Sequence, residues 1–102
     1  MKKISLITVT HNSEDVIIDC LNSISQQSYK NIEHIIIDGN SADRTIKIIN
    51  EFRGFPNDRV VISEPDNGLY HAINKGLALS TGDIIGFLHS DDIFYDNFVL
   101  EN

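Results

Sequence analysis

The stretch Ile84-Ile85-Gly86-Phe87-Leu88-His89-Ser90-Asp91-Asp92 is an apolar run that ends abruptly in polar residues. A run of roughly four to eight apolar residues suits a strand of a parallel sheet covered on both faces. Two adjacent carboxylates at its C-terminal end are costly, because like charges repel and each resists losing its water. A bound divalent cation relieves that cost, and such oxygen ligands suit Mg2+ or Mn2+. The competing reading is a solvated loop in which Asp92 caps a following helix. The preceding residues decide between the two.

Working back to the N-terminus, Ile4 to Val9 reads as a first strand, closed by His11-Asn12-Ser13. Asn12 or Ser13 is the expected cap of a first helix, with Glu14 and Asp15 in its first turn. Ile17, Cys20, Leu21 and Ile24 fall at helical spacing, so Cys20 belongs to a buried stripe and is read as packed and inert. Ile32 to Ile37 is a second strand that ends at Asp38-Gly39-Asn40-Ser41. Ser41 is the expected cap of a second helix, whose stripe is Ile46, Ile49 and Phe52. Val60 to Ser63 is a third strand, and Glu64 to Gly68 a turn-rich connection. Leu69, Ala72, Ile73, Gly76 and Leu77 form a third helical stripe, on which Gly76 allows close approach to the sheet. Gly82 is the expected residue of positive φ after that helix.

Strands alternating with helices imply a parallel sheet with right-handed crossovers. The expected fold is α/β and three-layered, Rossmann-like, with strand order 3-2-1-4 and helices on both faces. The topological switch point then lies between strands 1 and 4, and ligands bind at the carboxyl ends of strands near such a point. Thr10-His11-Asn12, Asp38 to Ser41, Glu64 to Gly68, and His89 to Asp92 all fall on that one edge. Their convergence favours a functional Asp91 and Asp92.

The chain of 102 residues is read as a single domain. Its 41% hydrophobic and 23% charged residues are ordinary for a globular protein. No apolar run approaches the ~20 residues of a membrane span. No export signal is read at the N-terminus, and one cysteine fits a reducing cytoplasm. A net charge of −7 argues against nucleic acid as partner. The chain carries no G-x-G-x-x-G, no G-x-x-x-x-G-K-[ST] and no G-x-S-x-G, so a diphosphate is more readily held through a metal than in a glycine cradle.

Ser5-Leu6-Ile7-Thr8-Val9-Thr10-His11-Asn12 resembles the first strand of the family 2 glycosyltransferases, which have a GT-A fold. Asp38-Gly39-Asn40-Ser41-Ala42-Asp43-Arg44-Thr45 is similar to that family's D-G-x-S-x-D-x-T stretch. Ser63 to Tyr70, with Ala72, Asn74, Lys75 and Gly76, resembles its third helix region, and Thr81 to Leu88 leading to Ser90-Asp91-Asp92 its metal segment. The resemblance implies transfer of a sugar from a nucleotide-sugar, most simply a UDP-sugar, to an acceptor hydroxyl with inversion, in surface polysaccharide synthesis. By position it places Thr8, Thr10, Asn12, Glu14 and Asp38 near the base or ribose, and Lys75 on the nucleotide-sugar side of the third helix. It gives a divalent cation, Mn2+ or Mg2+, to Asp91, with Asp92 and His89 beside it. The residue-level alternatives are strand propensity for Thr8 and Thr10, helix capping for Asn12 and Glu14, and a solvated face for Lys75.

The departures are specific. His89 stands where the family often has the first carboxylate of Asp-x-Asp, and Gly39 where a second aspartate often follows Asp38. A site of His11, His71 and His89 is the alternative to three separate histidines, and His34 reads as structural. The family's catalytic domain continues for about another domain's length of ~100 residues. That part carries the general base, a role that neither Asp96 nor Glu101 is expected to fill. Residues 1–102 are therefore expected to be a truncated GT-A domain, inactive alone, with an open edge at strand 4 prone to self-association. For a full-length protein the resemblance also admits peripheral membrane association. A non-catalytic nucleotide-binding or interaction module is the alternative. A phosphoacceptor receiver domain ranks low, because strand 1 ends without acidic residues.

Overall fold

The structure is a computed structural model that describes residues 2–54, 58–65 and 68–89. Its elements are β1 (Ile4–Thr10), α1 (Ile17–Ser25), β2 (Ile32–Asp38), α2 (Thr45–Glu51), β3 (Asp58–Ser63), α3 (Leu69–Leu79) and β4 (Ile84–Phe87). The four strands form one sheet in the order β3-β2-β1-β4, and every pairing is parallel. The α/β class, the order 3-2-1-4 and the alternation of elements are as the sequence predicts.

Strand parity assigns the helices to faces. Leu6, Ile32 and Ile36 point to the side covered by Cys20 and Ile24 of α1 and by Ile49 of α2. Ile7, Ile35 and Ile37 point to the other side, onto Ala72 of α3. Because both faces are covered, β2 is buried at every position, including its polar residues Glu33, His34 and Asp38. That is the physical reason Ile32 to Ile37 lacks alternation: a central parallel strand has no wet face. α3 lies close to the sheet at Gly76, where an added Cβ would stand 2.6 Å from Ile7 Cγ2.

Four expectations need correction. α1 begins at Ile17, not after Asn12 or Ser13, and no side chain caps it. The amides of Val16 and Ile17 instead donate to Ser13 O at 3.0 and 2.9 Å, a turn that delays the helix. α2 begins at Thr45, and Ser41 does not cap it. Asp43 Oδ1 takes the Thr45 amide at 3.0 Å, while the Ser41 hydroxyl turns to Asp38. Gly82 does not have positive φ, since Gly68 at +108° is the glycine that does among the described residues. Gly82 is required for closeness instead: a Cβ there would lie 2.7 Å from Ser5 Oγ and 2.8 Å from Lys3 O. Finally, β4 is not covered on both faces. Ile84, Ile85 and Phe87 are 48%, 42% and 53% exposed, because β4 is an edge strand paired only with β1 among the described residues.

Candidate functional site

The loops after β1 and β2 are fastened to each other at the carboxyl edge of the sheet. Gly39 N–H donates to Thr10 O at 2.9 Å. Asn12 N–H donates to Ser41 Oγ, and Ala42 N–H to Asn12 Oδ1, both at 2.8 Å. Further out, Ser13 N–H reaches Thr45 Oγ1 at 2.7 Å and Glu14 N–H reaches Asp43 Oδ2 at 3.2 Å. Asn12 and Asn40 take positive φ, 48° and 59°, a conformation that asparagine tolerates better than most residues. His11 Nδ1 lies 2.9 Å from Gly39 O. A carbonyl only accepts, so Nδ1 carries the proton. The opposite nitrogen, Nε2, is then free to accept from Asn12 Nδ2 at 3.2 Å.

Beneath this seam, Asp38 is fully buried and its carboxylate is shared among three donors. Oδ2 accepts from Ser41 N–H and from Ser63 Oγ, each at 2.8 Å, and Oδ1 accepts from the Ser41 hydroxyl. One buried carboxylate thus joins the end of β2, its following loop and the end of β3. The outer carboxylate, Asp43, is pushed up by burial, but bonds from the Thr45 hydroxyl and the Thr45 and Glu14 amides outweigh this and hold it below its ordinary value.

A cleft of about 470 Å³ opens beside the seam, lined by Val9, Thr10, His11, Gly39, Gly68, Leu69 and Ala72. Its size is within the range of small-molecule sites, about 300–1,000 Å³. Thr10 is 2% exposed, and its hydroxyl has no hydrogen-bond partner among the described residues. A buried hydroxyl left unpaired costs about 1–3 kcal/mol, and this oxygen is closed to solvent on the strand face that Thr10 shares with Leu6 and Thr8.

The predicted residues distribute unevenly around the cleft. Thr10 lines it. Thr8 is fully buried, with Oγ1 2.8 Å from Nε2 of the buried His34, so its side chain does not reach the cleft. Asn12 and Glu14 lie in the fastened loops, and Asp38 lies under them. Lys75 is not a solvated face residue: it pairs with Glu64 Oε1 at 2.9 Å and donates to Pro65 O at 3.2 Å, tying α3 to the connection after β3. His89 follows β4, and its carbonyl accepts from Cys20 Sγ at 3.6 Å. Cys20 is buried within the α1 core, as its stripe predicts. Asp91, Asp92, Asp96 and Glu101 lie outside the described residues.

Among the described residues, no three His, Cys, Asp or Glu side chains gather as metal ligands, so His11, His71 and His89 do not form a site. The donor set His89, Asp91 and Asp92 has the right chemistry for Mn2+, one imidazole nitrogen and two carboxylates, and His89 is its described member. Sequence reasoning missed Ser63 and Ser41 as partners of Asp38. For Ser63 the signal lies in the register, which sets it directly opposite Asp38 once β3 is known to flank β2.

A parallel 3-2-1-4 sheet with a cleft at its carboxyl edge is the architecture of α/β proteins that bind ligands at a topological switch point. Sequence comparison narrows the class. The chain belongs to glycosyl transferase family 2, whose model matches residues 5–102. It is 38% identical over 93 residues to a PGL/p-HBAD biosynthesis glycosyltransferase of Mycobacterium bovis, a match covering 90% of this chain and 36% of the relative. The chain thus spans about a third of the length of that curated relative. The fold matches S. aureus TarS 1–349 in complex with UDP-GlcNAc, with a TM-score of 0.81, 29% identity and coverage of 89% of this chain and 27% of the other. It also matches glucosyl-3-phosphoglycerate synthase of Mycobacterium tuberculosis in complex with Mn2+, UDP and glucosyl-3-phosphoglycerate. There the TM-score is 0.68, with 29% identity over 87% of this chain and 33% of the other. These relatives share the GT-A fold.

Proposed function

We propose that this chain is the donor-binding portion of an inverting glycosyltransferase that takes a UDP-sugar. The observation that carries this reading is the cleft of about 470 Å³ at the carboxyl edge of the sheet, walled by the fastened loops after β1 and β2 and by the start of α3. In this reading the base or ribose of the donor lies in the cleft that Thr10 and His11 line. Asp38 holds the loop that lines the cleft, and Asn12 and Glu14 keep that loop against β1. Lys75 braces the opposite wall through Glu64. Asp91 and Asp92, with His89, would hold a divalent cation, whose charge would offset that of a leaving diphosphate. In this reading the acceptor site and general base correspond to the part of the relatives' length that this match, 36% of the curated relative, does not span, and the 102 residues alone are expected not to transfer sugar. Surface polysaccharide synthesis at the cytoplasmic side of a membrane is the setting that this chemistry suits.

Titration calorimetry with UDP, with and without Mn2+, tests the reading. Binding that strengthens with Mn2+, and loses that gain in Asp91→Ala, is the expected result. A folded chain that does not bind UDP refutes it. It would favour a second reading, a non-catalytic module, which Gly39 and His89 support by standing where carboxylates are usual. Sugar transfer by the chain alone would refute the assigned inactivity.

A further inference from the structure

We propose that Glu33, at the end of the sheet opposite the cleft, is a positioning residue that locks the register of β4 and so places His89. Its functional consequence rests on the donor-binding reading above.

Register is normally enforced because a one-residue slip carries apolar side chains from the core face to water. β4 lacks that enforcement. Its sequence Ile84-Ile85-Gly86-Phe87 is apolar or glycine throughout, and Ile84, Ile85 and Phe87 are all substantially exposed. Leu88, just past the strand, is buried, but a slip in one direction replaces it with Phe87, apolar for apolar. Hydrophobic pattern alone therefore fixes β4 weakly.

The preceding residues are fixed strongly. Glu33 on β2 is only 7% exposed. Its Oε2 accepts from the Ser5 hydroxyl at 2.7 Å and from Thr81 N–H at 3.0 Å, and the Thr81 hydroxyl lies 3.1 Å from both its oxygens. Ser5 Oγ in turn accepts from Gly82 N–H at 2.8 Å. Asp83 Oδ2 accepts from Lys3 N–H at 2.9 Å. Thr81, Gly82 and Asp83 each meet a different partner, so a slip breaks every bond at once and strands a buried carboxylate. Sterics agree, because the spot that Gly82 occupies against Ser5 and Lys3 has no room for the Cβ of Thr81 or Asp83. Burial pushes the Glu33 carboxyl up, yet the bonds from Ser5 and Thr81 and the charge of Lys3 hold it below its ordinary value, so it is the ionised form that is bound. One residue of slip would move His89 by about 3.3 Å and turn it to the opposite face.

Amide hydrogen exchange by NMR on the ligand-free chain tests the lock with Glu33→Gln. We expect the Ile84 and Leu88 amides to lose at least about tenfold in protection while those of β2 keep theirs. Unchanged β4 protection, or an equal fall across the whole sheet, overturns the proposal. If Glu33→Gln does not fold, Ser5→Ala carries the same readouts, since it removes one donor to Glu33 and the acceptor for Gly82. With UDP, the variant is expected to lose most of the Mn2+-dependent gain in affinity and to keep its metal-free affinity within about twofold, where a merely structural loss moves both. A retained Mn2+ gain overturns the functional consequence. A wild-type chain with no Mn2+ gain overturns that consequence together with the donor-binding reading, and exchange still decides the lock itself.

Discussion

His34 should make this fold acid-sensitive well above the range where carboxylates titrate. Its ring is fully buried in β2, and burial lowers its pKa from 6.5 to about 3. In the unfolded chain the ring takes a proton near pH 6.5, while in the folded chain it does not. The unfolded state therefore binds more protons between pH 6.5 and 3, and stability falls as pH falls through that window. At about 1.4 kcal/mol per pH unit, the loss is about 2 kcal/mol at pH 5 and approaches about 5 kcal/mol near pH 3. A domain of this size has about 5–15 kcal/mol in all, so the effect is large. Urea unfolding at pH 7.5, 6.0 and 5.0 reads it as a midpoint that drops by about 1–2 M, taking the usual urea slope of about 1–2 kcal/mol/M. Between pH 7.5 and 5.0 the depressed carboxylates Glu33 and Asp43 do not confuse the readout, because their stabilisation is lost only below their unfolded values of 4.5 and 3.8. In His34→Gln, which keeps a polar group beside Thr8, the decline between pH 7.5 and 5.0 should flatten. A wild-type midpoint that does not change over that range, or an equal decline in His34→Gln, would refute the argument from burial.

Other perturbations act at single contacts. Thr10→Val removes a buried, unpaired hydroxyl while keeping the shape, so the thermal unfolding midpoint should hold or rise in scanning calorimetry. Gly82→Ala drives a Cβ against Ser5 and Lys3 and should lower stability by about 1–3 kcal/mol in urea melts, although the backbone there needs no positive φ. The exposed apolar edge of β4 should make the chain self-associate with rising concentration, and Ile85→Lys should suppress this in sedimentation velocity.

The strands were legible because central parallel strands announce themselves as near-continuous apolar runs, and the helices because their stripes repeat at helical spacing, although the stripe read on α3 is buried only at Ala72 and Gly76 while Leu69 and Leu77 are exposed. Helix starts were not, and the reason is local. Asn12, Ser13 and Ser41 have the chemistry of caps, but Asn12 and Ser41 bond across to the neighbouring loop or to Asp38, contacts that exist only once β1 and β2 are side by side. The exposure of β4 was hidden for a related reason: an apolar run reads the same whether or not anything covers it. Asp38 was legible as the residue that ends β2 at the carboxyl edge of the sheet. That its oxygens are shared with Ser41 and Ser63 depends on strand order and register, which spacing along one strand does not encode.

The seam between the loops after β1 and β2 has a thermodynamic consequence. Its backbone amides and the His11 ring are already engaged, so one wall of the cleft has little freedom left to lose when a ligand arrives. The facing wall, Gly68 and Leu69 at the start of α3, is exposed and begins at a positive-φ glycine with no capping side chain. Ordering on binding then falls more on that wall than on the seam. The entropy of association should respond to changes at Gly68 far more than to changes at Ser41 or Asn12, where a substitution would register chiefly as lost enthalpy.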